Sequence, residues 1–124
     1  MQTDRPVNLN LFKMSWPLAA LTSITHRVTG VILFVGLAFA LYALQMALAS
    51  PAGFEQAAQM VQQPVGKFIL FGLLLGLVYH FVAGIKHLLL DFHMGDSLQA
   101  SRAGAVGVIV VTVGIAAVLG GLLW

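Results

Sequence analysis

The chain has 124 residues, of which 60% are hydrophobic and only 8% are charged, and its net charge is +2. Soluble domains carry roughly 25% charged residues, so this composition excludes an ordinary soluble domain and makes the lipid bilayer the solvent for most of the chain. The small net charge gives no support for nucleic-acid binding. Because there is no cysteine, the sequence itself holds no disulfide, iron–sulfur cluster or thiolate zinc site.

Stretches without charge divide the sequence into three apolar spans. No Asp, Glu, Lys or Arg occurs in residues 28–54, 68–85 and 103–124. Crossing the hydrocarbon core of a membrane takes about 20 apolar residues, and each stretch with its flanks is long enough. The sequence therefore predicts transmembrane helices at 22–49, 66–92 and 103–124.

Helix is the expected conformation of every span, because backbone amides in lipid must pair within their own segment. We therefore expect an all-α protein with a single membrane-anchor domain over 1–124, in which an N-terminal segment, 1–21, precedes the first span. Residues 53–63 are polar enough for a short interfacial helix. The first span could instead be a cleaved signal peptide, but its apolar run is too long and the preceding polar stretch is long, so we expect it to be retained.

The positive residues indicate an orientation. Five of the six Lys and Arg residues lie on one side of the predicted spans: Arg5, Lys13, Arg27, Lys86 and Arg102. Lys67 lies on the other side. Because Lys and Arg concentrate on the cytoplasmic side of membrane proteins, we expect a cytoplasmic N-terminus. Trp16 and Trp124 fit aromatic belts at the two membrane surfaces, although either could instead be a helix contact.

Polar residues at the start of the first span share one helical face at 100° per residue: Ser23, His26, Arg27 and Gly30. Ionisable residues within a span are costly and are therefore functional candidates. Arg27 could bind a carboxylate, such as a haem propionate, with both ends of its guanidinium, and Ser23 with Arg27 could polarise a quinone carbonyl. Alternatively, Arg27 is a charge anchor that snorkels to the surface, and Ser23 bonds its own helix backbone.

The second span carries His80 inside its apolar run, on one ridge with Gly72, Gly76 and Gly84. Glycines four residues before and after the histidine leave a flat groove beside the imidazole, which a planar macrocycle can approach. The alternative is close helix packing of the small-residue type, with His80 hydrogen-bonded to another helix.

Three further residues lie toward the same membrane surface as His26: Lys86, His87 and Asp91. Lys86 or His87 could hold a propionate and Asp91 could accept a hydrogen bond from His87, or all three are ordinary interfacial residues. An electron-transfer haem of the b type takes two axial ligands, and we expect His26 and His87 to be too far from His80 in depth to share its iron. If His80 binds haem, the second ligand should come from another chain.

The third span has no ionisable residue after Arg102. Gly107, Gly114 and Gly121 recur every seven residues, which is the period of a left-handed helix crossing, so we interpret this helix as a packing element. His93 and Asp96 are expected in the loop before it.

Three segments taken together resemble the cytochrome b subunit of succinate dehydrogenase. Residues 5–9 read Arg-Pro-Val-Asn-Leu, residues 23–30 fit S-x-x-H-R-x-[ST]-G, and residues 80–91 fit H-x-x-x-G-[IV]-[RK]-H-x-x-x-D. The order and spacing match over nearly the whole chain, and the combination is highly specific. One departure is Lys86, where many relatives have Arg; this weakens a bidentate contact but keeps the charge.

The resemblance implies a set of roles. His80 is the axial ligand of a haem b iron, with His26, Arg27 and His87 as the candidates beside the haem propionates, and Ser23 and Arg27 belong to a ubiquinone site. The family complex adds a flavoprotein, an iron–sulfur subunit and a second small membrane subunit that supplies the other haem ligand. The chain itself then performs no dicarboxylate chemistry, and electrons from succinate arrive through the iron–sulfur subunit.

Two other functions remain open at this point. The first is the anchor of a fumarate reductase, which uses the same scaffold to oxidise quinol. The second is a small transporter or assembly protein in which Arg27 and His80 relay protons. On the leading interpretation, we expect a multi-pass protein of the bacterial cytoplasmic (inner) membrane with a periplasmic C-terminus.

Overall fold

A computed structural model describes residues 15–124. Four helices follow one another: α1 (Leu18–Ala49), α2 (Pro51–Gln62), α3 (Pro64–Asp91) and α4 (Leu98–Leu123). Residues 15–124 contain no β-strand, which confirms the all-α prediction for this part of the chain. The segment 5–9 used in the resemblance, together with Lys13, lies outside the described residues.

Three of the helices are long and apolar enough to cross a membrane. α1, α3 and α4 have 32, 28 and 26 residues, and each contains an 18-residue stretch of high mean hydropathy, 2.3, 2.3 and 2.6 respectively. At 1.5 Å per residue the shortest is about 39 Å long, which exceeds the hydrocarbon thickness of about 30 Å. Large apolar side chains on their surfaces are exposed, such as Phe34 at 80%. Such exposure is expected of helices that contact lipid or other membrane subunits.

Two of the long helices begin at least four residues before the predicted spans. α1 starts at Leu18, directly after Pro17, and so extends four residues before the predicted span. Its threonines do not interrupt it, because their hydroxyls donate to carbonyls of the preceding turn, as Thr22 does to Ala19 at 2.9 Å. α4 starts at Leu98, earlier than the predicted span, because the Ser97 hydroxyl accepts a hydrogen bond from the Ala100 amide at 3.1 Å.

The short helix α2 occupies the polar segment between the first two spans. The Ser50 hydroxyl caps it by accepting from the Gly53 amide at 2.9 Å, and Pro51 stands at its first position. Its position at a membrane surface stays a prediction.

α3 packs against both α1 and α4, and α2 lies against α1 and α3. The most buried apolar side chains are small, namely Ala83, Ala105 and Val108, as is common where membrane helices approach closely. A Cβ added at Gly107, Gly114 or Gly121 would meet nothing within 4 Å. These glycines therefore make no close contact within residues 15–124, where α4 turns Ala105 and Val108 toward the core instead. α4 as a whole packs on α3 and α1, in line with its interpretation as a packing element.

The ends of the spans carry the remaining aromatic and loop residues. Trp124 packs on Phe68 and Phe71 of α3, with ring centroids 5.1 and 5.6 Å away, so it makes the helix contact that was one of its two interpretations. His93 and Asp96 form an exposed pair at 3.8 Å in the loop between α3 and α4, as predicted.

Candidate functional site

The packing of α1 on α3 brings three histidines into contact. The His26 ring stacks on the His80 ring, with centroids 4.1 Å apart and planes 7° from parallel. The edge of His87 meets His26, with centroids 5.0 Å apart and an interplanar angle of 66°. One imidazole from α1 therefore lies between two from α3.

Two glycines let these rings approach the opposite helix. A Cβ added at Gly30 of α1 would lie 3.1 Å from Cε1 of His80, and one added at Gly84 of α3 would lie 3.4 Å from Nε2 of His26. Each imidazole therefore lies against a bare backbone position of the other helix. A larger residue at Gly30 would push against the His80 ring.

One nitrogen of His80 is engaged by α1. Its Nδ1 lies 3.1 Å from the His26 carbonyl oxygen and 3.2 Å from Oγ1 of Thr29. Its Nε2 has no hydrogen-bond partner among residues 15–124. A histidine that is held through one nitrogen offers the other to a metal.

A groove of about 400 Å³ opens beside the three histidines. We call it the histidine groove; it is lined by His26, His80, Phe81, Gly84, Ile85, His87, Leu88 and Asp91. It combines apolar walls, imidazoles and one carboxylate. The sequence predicted a flat groove beside His80 from glycines before and after it. The structure places Gly84 in the lining of the groove but not Gly76, which faces Leu33 of α1.

This arrangement fits an axial haem ligand at His80. The available Nε2 is a usual ligand atom for haem iron, and His80 lines the histidine groove. The lone pairs of an imidazole lie in its ring plane, so the stacked rings of His26 and His80 cannot aim them at one iron between them. If this chain binds haem here, His26 and His80 together would therefore supply one axial ligand and not two.

The depth argument for separating His26 from His80 is wrong, because the two rings are in contact. It assumed that the first helix begins at residue 22, which placed His26 at the membrane boundary. α1 begins at Leu18, so His26 lies about 12 Å along it. His80 lies eleven residues before Asp91, the last residue of α3, which is a similar depth for antiparallel neighbours.

Ser23 and Arg27 lie outside the histidine groove. Ser23 is half-buried, and its hydroxyl forms no hydrogen bond with any described residue. It therefore does not bond its own helix backbone, whereas the hydroxyls of Thr25 and Thr29 donate to carbonyls of α1. Arg27 is exposed and forms no ion pair within residues 15–124. Its charge is close enough to act on His26 and His87. Within residues 15–124 the Ser23 hydroxyl and the Arg27 guanidinium form no hydrogen bond or ion pair, so both are available to bind a ligand.

Lys86 was considered as a residue beside a haem propionate and Asp91 as a hydrogen-bond acceptor for His87, and the structure shows other contacts for both. Lys86 is only 9% exposed, and its stem packs over Gly104 of α4, where an added Cβ would lie 3.2 Å from Cε. It therefore faces α4 and does not line the histidine groove. Asp91 lines that groove, but it forms no hydrogen bond with His87 among the described residues, and the His87 ring contacts His26 instead.

Two residues of the site were missed by sequence reasoning. Thr29 reaches Nδ1 of His80, and the Tyr79 hydroxyl donates to the Thr22 carbonyl at 2.8 Å, which ties α3 to α1 beside the histidines. Thr29 lies three residues after His26 in the same motif, and this spacing was the available signal. Nothing in the sequence pairs Tyr79 with a carbonyl 57 positions away.

Comparison with known proteins assigns the family. The family model described as the succinate dehydrogenase/fumarate reductase transmembrane subunit matches residues 1–119. The succinate dehydrogenase cytochrome b556 subunit of Coxiella burnetii is 36% identical over 123 residues, which cover 98% of this chain and 98% of that protein.

Similar proteins occur in other bacteria and in mitochondria. The succinate dehydrogenase cytochrome b556 subunit of Paracoccus denitrificans is 37% identical over 116 residues, covering 88% of this chain and 89% of that protein. The mitochondrial succinate dehydrogenase cytochrome b560 subunit of Bos taurus is 32% identical over 115 residues, covering 89% of this chain and 66% of that protein. The chain belongs to the family of succinate dehydrogenase/fumarate reductase transmembrane subunits.

Proposed function

We propose that this chain is the cytochrome b membrane-anchor subunit of a succinate dehydrogenase. The observation that supports this most strongly is the environment of His80, which lies in an apolar helix. Its Nδ1 is held by α1, its Nε2 has no hydrogen-bond partner among residues 15–124, and the residue lines the histidine groove. The relatives above are named as succinate dehydrogenase subunits, which favours this assignment over a fumarate reductase anchor. The chain then serves electron transfer to quinone and binds no dicarboxylate.

Haem b is the cofactor that these residues would hold. His80 would bind its iron through Nε2. His26, Arg27 and His87 would lie beside the propionates, because His26 and His87 line the histidine groove and the cationic Arg27 directly follows His26 in α1. When bound, haem supplies reversible one-electron chemistry. The chain contributes the orientation of the ligand, the apolar walls and a positive charge.

Ubiquinone is the proposed substrate at Ser23 and Arg27. Both side chains lie on one face of α1, four residues apart, and neither forms a hydrogen bond or ion pair with another described residue. A hydroxyl and a guanidinium can both donate to a quinone oxygen, and this donation strengthens as negative charge develops during reduction. Electrons would arrive from the iron–sulfur subunit.

The second axial ligand would come from outside this chain. Stacking against His80 removes His26 from consideration, because two rings stacked face to face with centroids 4.1 Å apart cannot place their in-plane lone pairs on opposite sides of one iron. A second small membrane-anchor subunit is therefore the proposed source. An iron–sulfur subunit and a flavoprotein complete the proposed assembly, which lies in the bacterial cytoplasmic membrane with the N-terminus in the cytoplasm and the C-terminus in the periplasm.

The test is to extract the complex in mild detergent through a tag on this chain, identify the co-purifying chains and record a reduced-minus-oxidised spectrum. We expect three partner chains and b-type haem bands. His80→Leu should abolish or shift those bands, whereas His93→Asn should leave them unchanged, because His93 lies in an exposed loop. Asn suits its positive φ of 57°. A complex without haem bands would favour a transporter or assembly protein.

A further inference from the structure

We propose that Thr29 is a positioning residue for His80. Its hydroxyl, together with the His26 carbonyl, holds His80 in the tautomer with a proton on Nδ1, so that the lone pair on Nε2 points away from α1 for ligation. This inference rests on the proposed binding of haem by His80. The juxtaposition that carries it is the meeting of Nδ1 with two oxygens of α1, at 3.1 and 3.2 Å.

The protons of this cluster can be assigned by counting donors. The His26 carbonyl has no proton to give. The Thr29 hydroxyl has one, and it lies 2.8 Å from that same carbonyl, which is its shortest contact in the cluster. Both oxygens therefore present lone pairs to Nδ1 of His80. If Nδ1 were unprotonated, it would face the carbonyl lone pair at 3.1 Å, which is repulsive, so Nδ1 carries the proton and donates.

The position of Thr29 distinguishes it from the other threonines of α1. Thr22 and Thr25 also donate to carbonyls of the preceding turn, at 2.9 and 2.8 Å, but among the described residues neither approaches an imidazole. Thr29 reaches His80 because the next residue is Gly30, where a Cβ would already lie 3.1 Å from Cε1 of His80. Gly30 and the Thr29 hydroxyl thus together fix the position of one edge of the His80 ring.

Hydrogen bonding at the remote nitrogen changes the ligand in two ways. It fixes the tautomer and the orientation of the ring, and it makes the ligating nitrogen more basic. A more basic ligand favours oxidised iron over reduced iron, because the higher charge gains more from electron donation. Thr29 should therefore strengthen haem retention and lower the midpoint potential of the haem.

The experiment compares Thr29→Val, Thr29→Ala and Thr29→Ser in the purified complex. The readouts are haem per complex, the low-spin electron paramagnetic resonance spectrum and the midpoint potential. Loss of the hydroxyl should weaken haem retention by about tenfold, the low end for a group behind a metal ligand, because the His26 carbonyl remains. The potential should rise. Thr29→Ser keeps the hydroxyl and should restore both values.

Thr112→Val is the matched control, since Thr112 is a buried threonine whose hydroxyl donates to its own helix at 2.7 Å and forms no hydrogen bond with a histidine among the described residues. It should change neither haem retention nor potential. The inference is overturned if Thr29→Val and Thr29→Ala both match the wild type while His80→Leu loses haem; the proposed function then stands. If His80→Leu also keeps an unchanged haem signal, the proposed ligand itself is wrong. Thr29→Ala remains informative where the branched valine prevents assembly.

Discussion

His26 covers one face of the His80 imidazole, with ring centroids 4.1 Å apart and ring planes 7° from parallel. This contact orders the site, because it fixes the plane in which the His80 nitrogens lie. The same plane contains the hydrogen bond from Nδ1 to the α1 backbone, so the direction of Nε2 is determined by α1. The orientation of His80, our proposed haem ligand, therefore depends on contacts from both α1 and α3.

We predict that Gly30→Ala perturbs the haem without preventing assembly. The new Cβ would lie 3.1 Å from Cε1 of His80, so the ring must move by a few tenths of an ångström and lengthen its bonds to α1. Alanine gains about 0.5–1 kcal/mol over glycine within a helix, which offsets part of the crowding. The measurement is the haem spectrum and midpoint potential of the purified complex.

The control for this prediction is Gly114→Ala on α4. A Cβ there meets nothing within 4 Å, so the same change in helix propensity occurs without any pressure on His80. If both variants have the wild-type haem signal, the close approach of Gly30 to His80 does not constrain the ring.

A second prediction concerns the corner between α2 and α3. A Cβ at Gly66 would clash with the backbone carbonyl of Met60, which cannot move aside as the end of a side chain can. We expect Gly66→Ala to destabilise the protein by about 1–3 kcal/mol, the usual cost of overpacking. The melting temperature of the purified complex should fall, while that of Gly114→Ala should not. Equal melting temperatures would show that the corner relaxes freely.

The sequence was sufficient for the three spans but not for the contacts between them. Charge-free stretches predicted α1, α3 and α4, because the cost of a charge in lipid governs composition along each helix. The start of α1 was placed four residues late, since Thr22 and its neighbours look polar although their hydroxyls are satisfied by the helix itself. That error moved His26 toward the surface in the predicted arrangement.

Relations between helices could not be derived from one helix at a time. The face shared by Ser23, His26 and Arg27 follows from helical periodicity, but the pairing of His26 with His80 depends on how far α1 and α3 slide along each other. Glycine spacing indicated a groove beside His80 and correctly marked Gly84. The glycine spacing did not indicate that the His80 ring also packs against Gly30 of the opposite helix.

A third prediction is that Trp124 lies on the periplasmic side. Five of the six Lys and Arg residues lie at the opposite ends of the spans, and such residues stay on the cytoplasmic side. A periplasmic reporter fused after Trp124 should be active and a cytoplasmic reporter inactive, with the reverse result for fusions in the loop 92–97. Activity only of the cytoplasmic reporter at Trp124 would reverse the topology and move Ser23 and Arg27 away from the cytoplasmic surface.

The last prediction is that Ser23→Ala or Arg27→Leu lowers quinone reduction. Neither side chain forms a hydrogen bond or ion pair with another described residue, so each has hydrogen-bond donors available for a quinone oxygen. Electron transfer from succinate to a soluble acceptor that bypasses the membrane should persist. Where chemistry limits the rate, losing one such donor costs about 3 kcal/mol of transition-state stabilisation. A smaller loss is expected where the arrival of electrons is limiting.

The measurement is the ratio of quinone reductase activity to bypass activity in complexes with normal subunit content. Ser101→Ala and Arg102→Leu are matched controls, because Ser101 is half-buried like Ser23 and Arg102 is exposed like Arg27; both should keep the wild-type ratio. Arg27→Leu should also perturb the haem spectrum more than Ser23→Ala, since the charge of Arg27 acts on His26 and His87. A wild-type ratio in both site variants would reject the quinone site and leave this face of α1 as a packing and charge-anchoring surface.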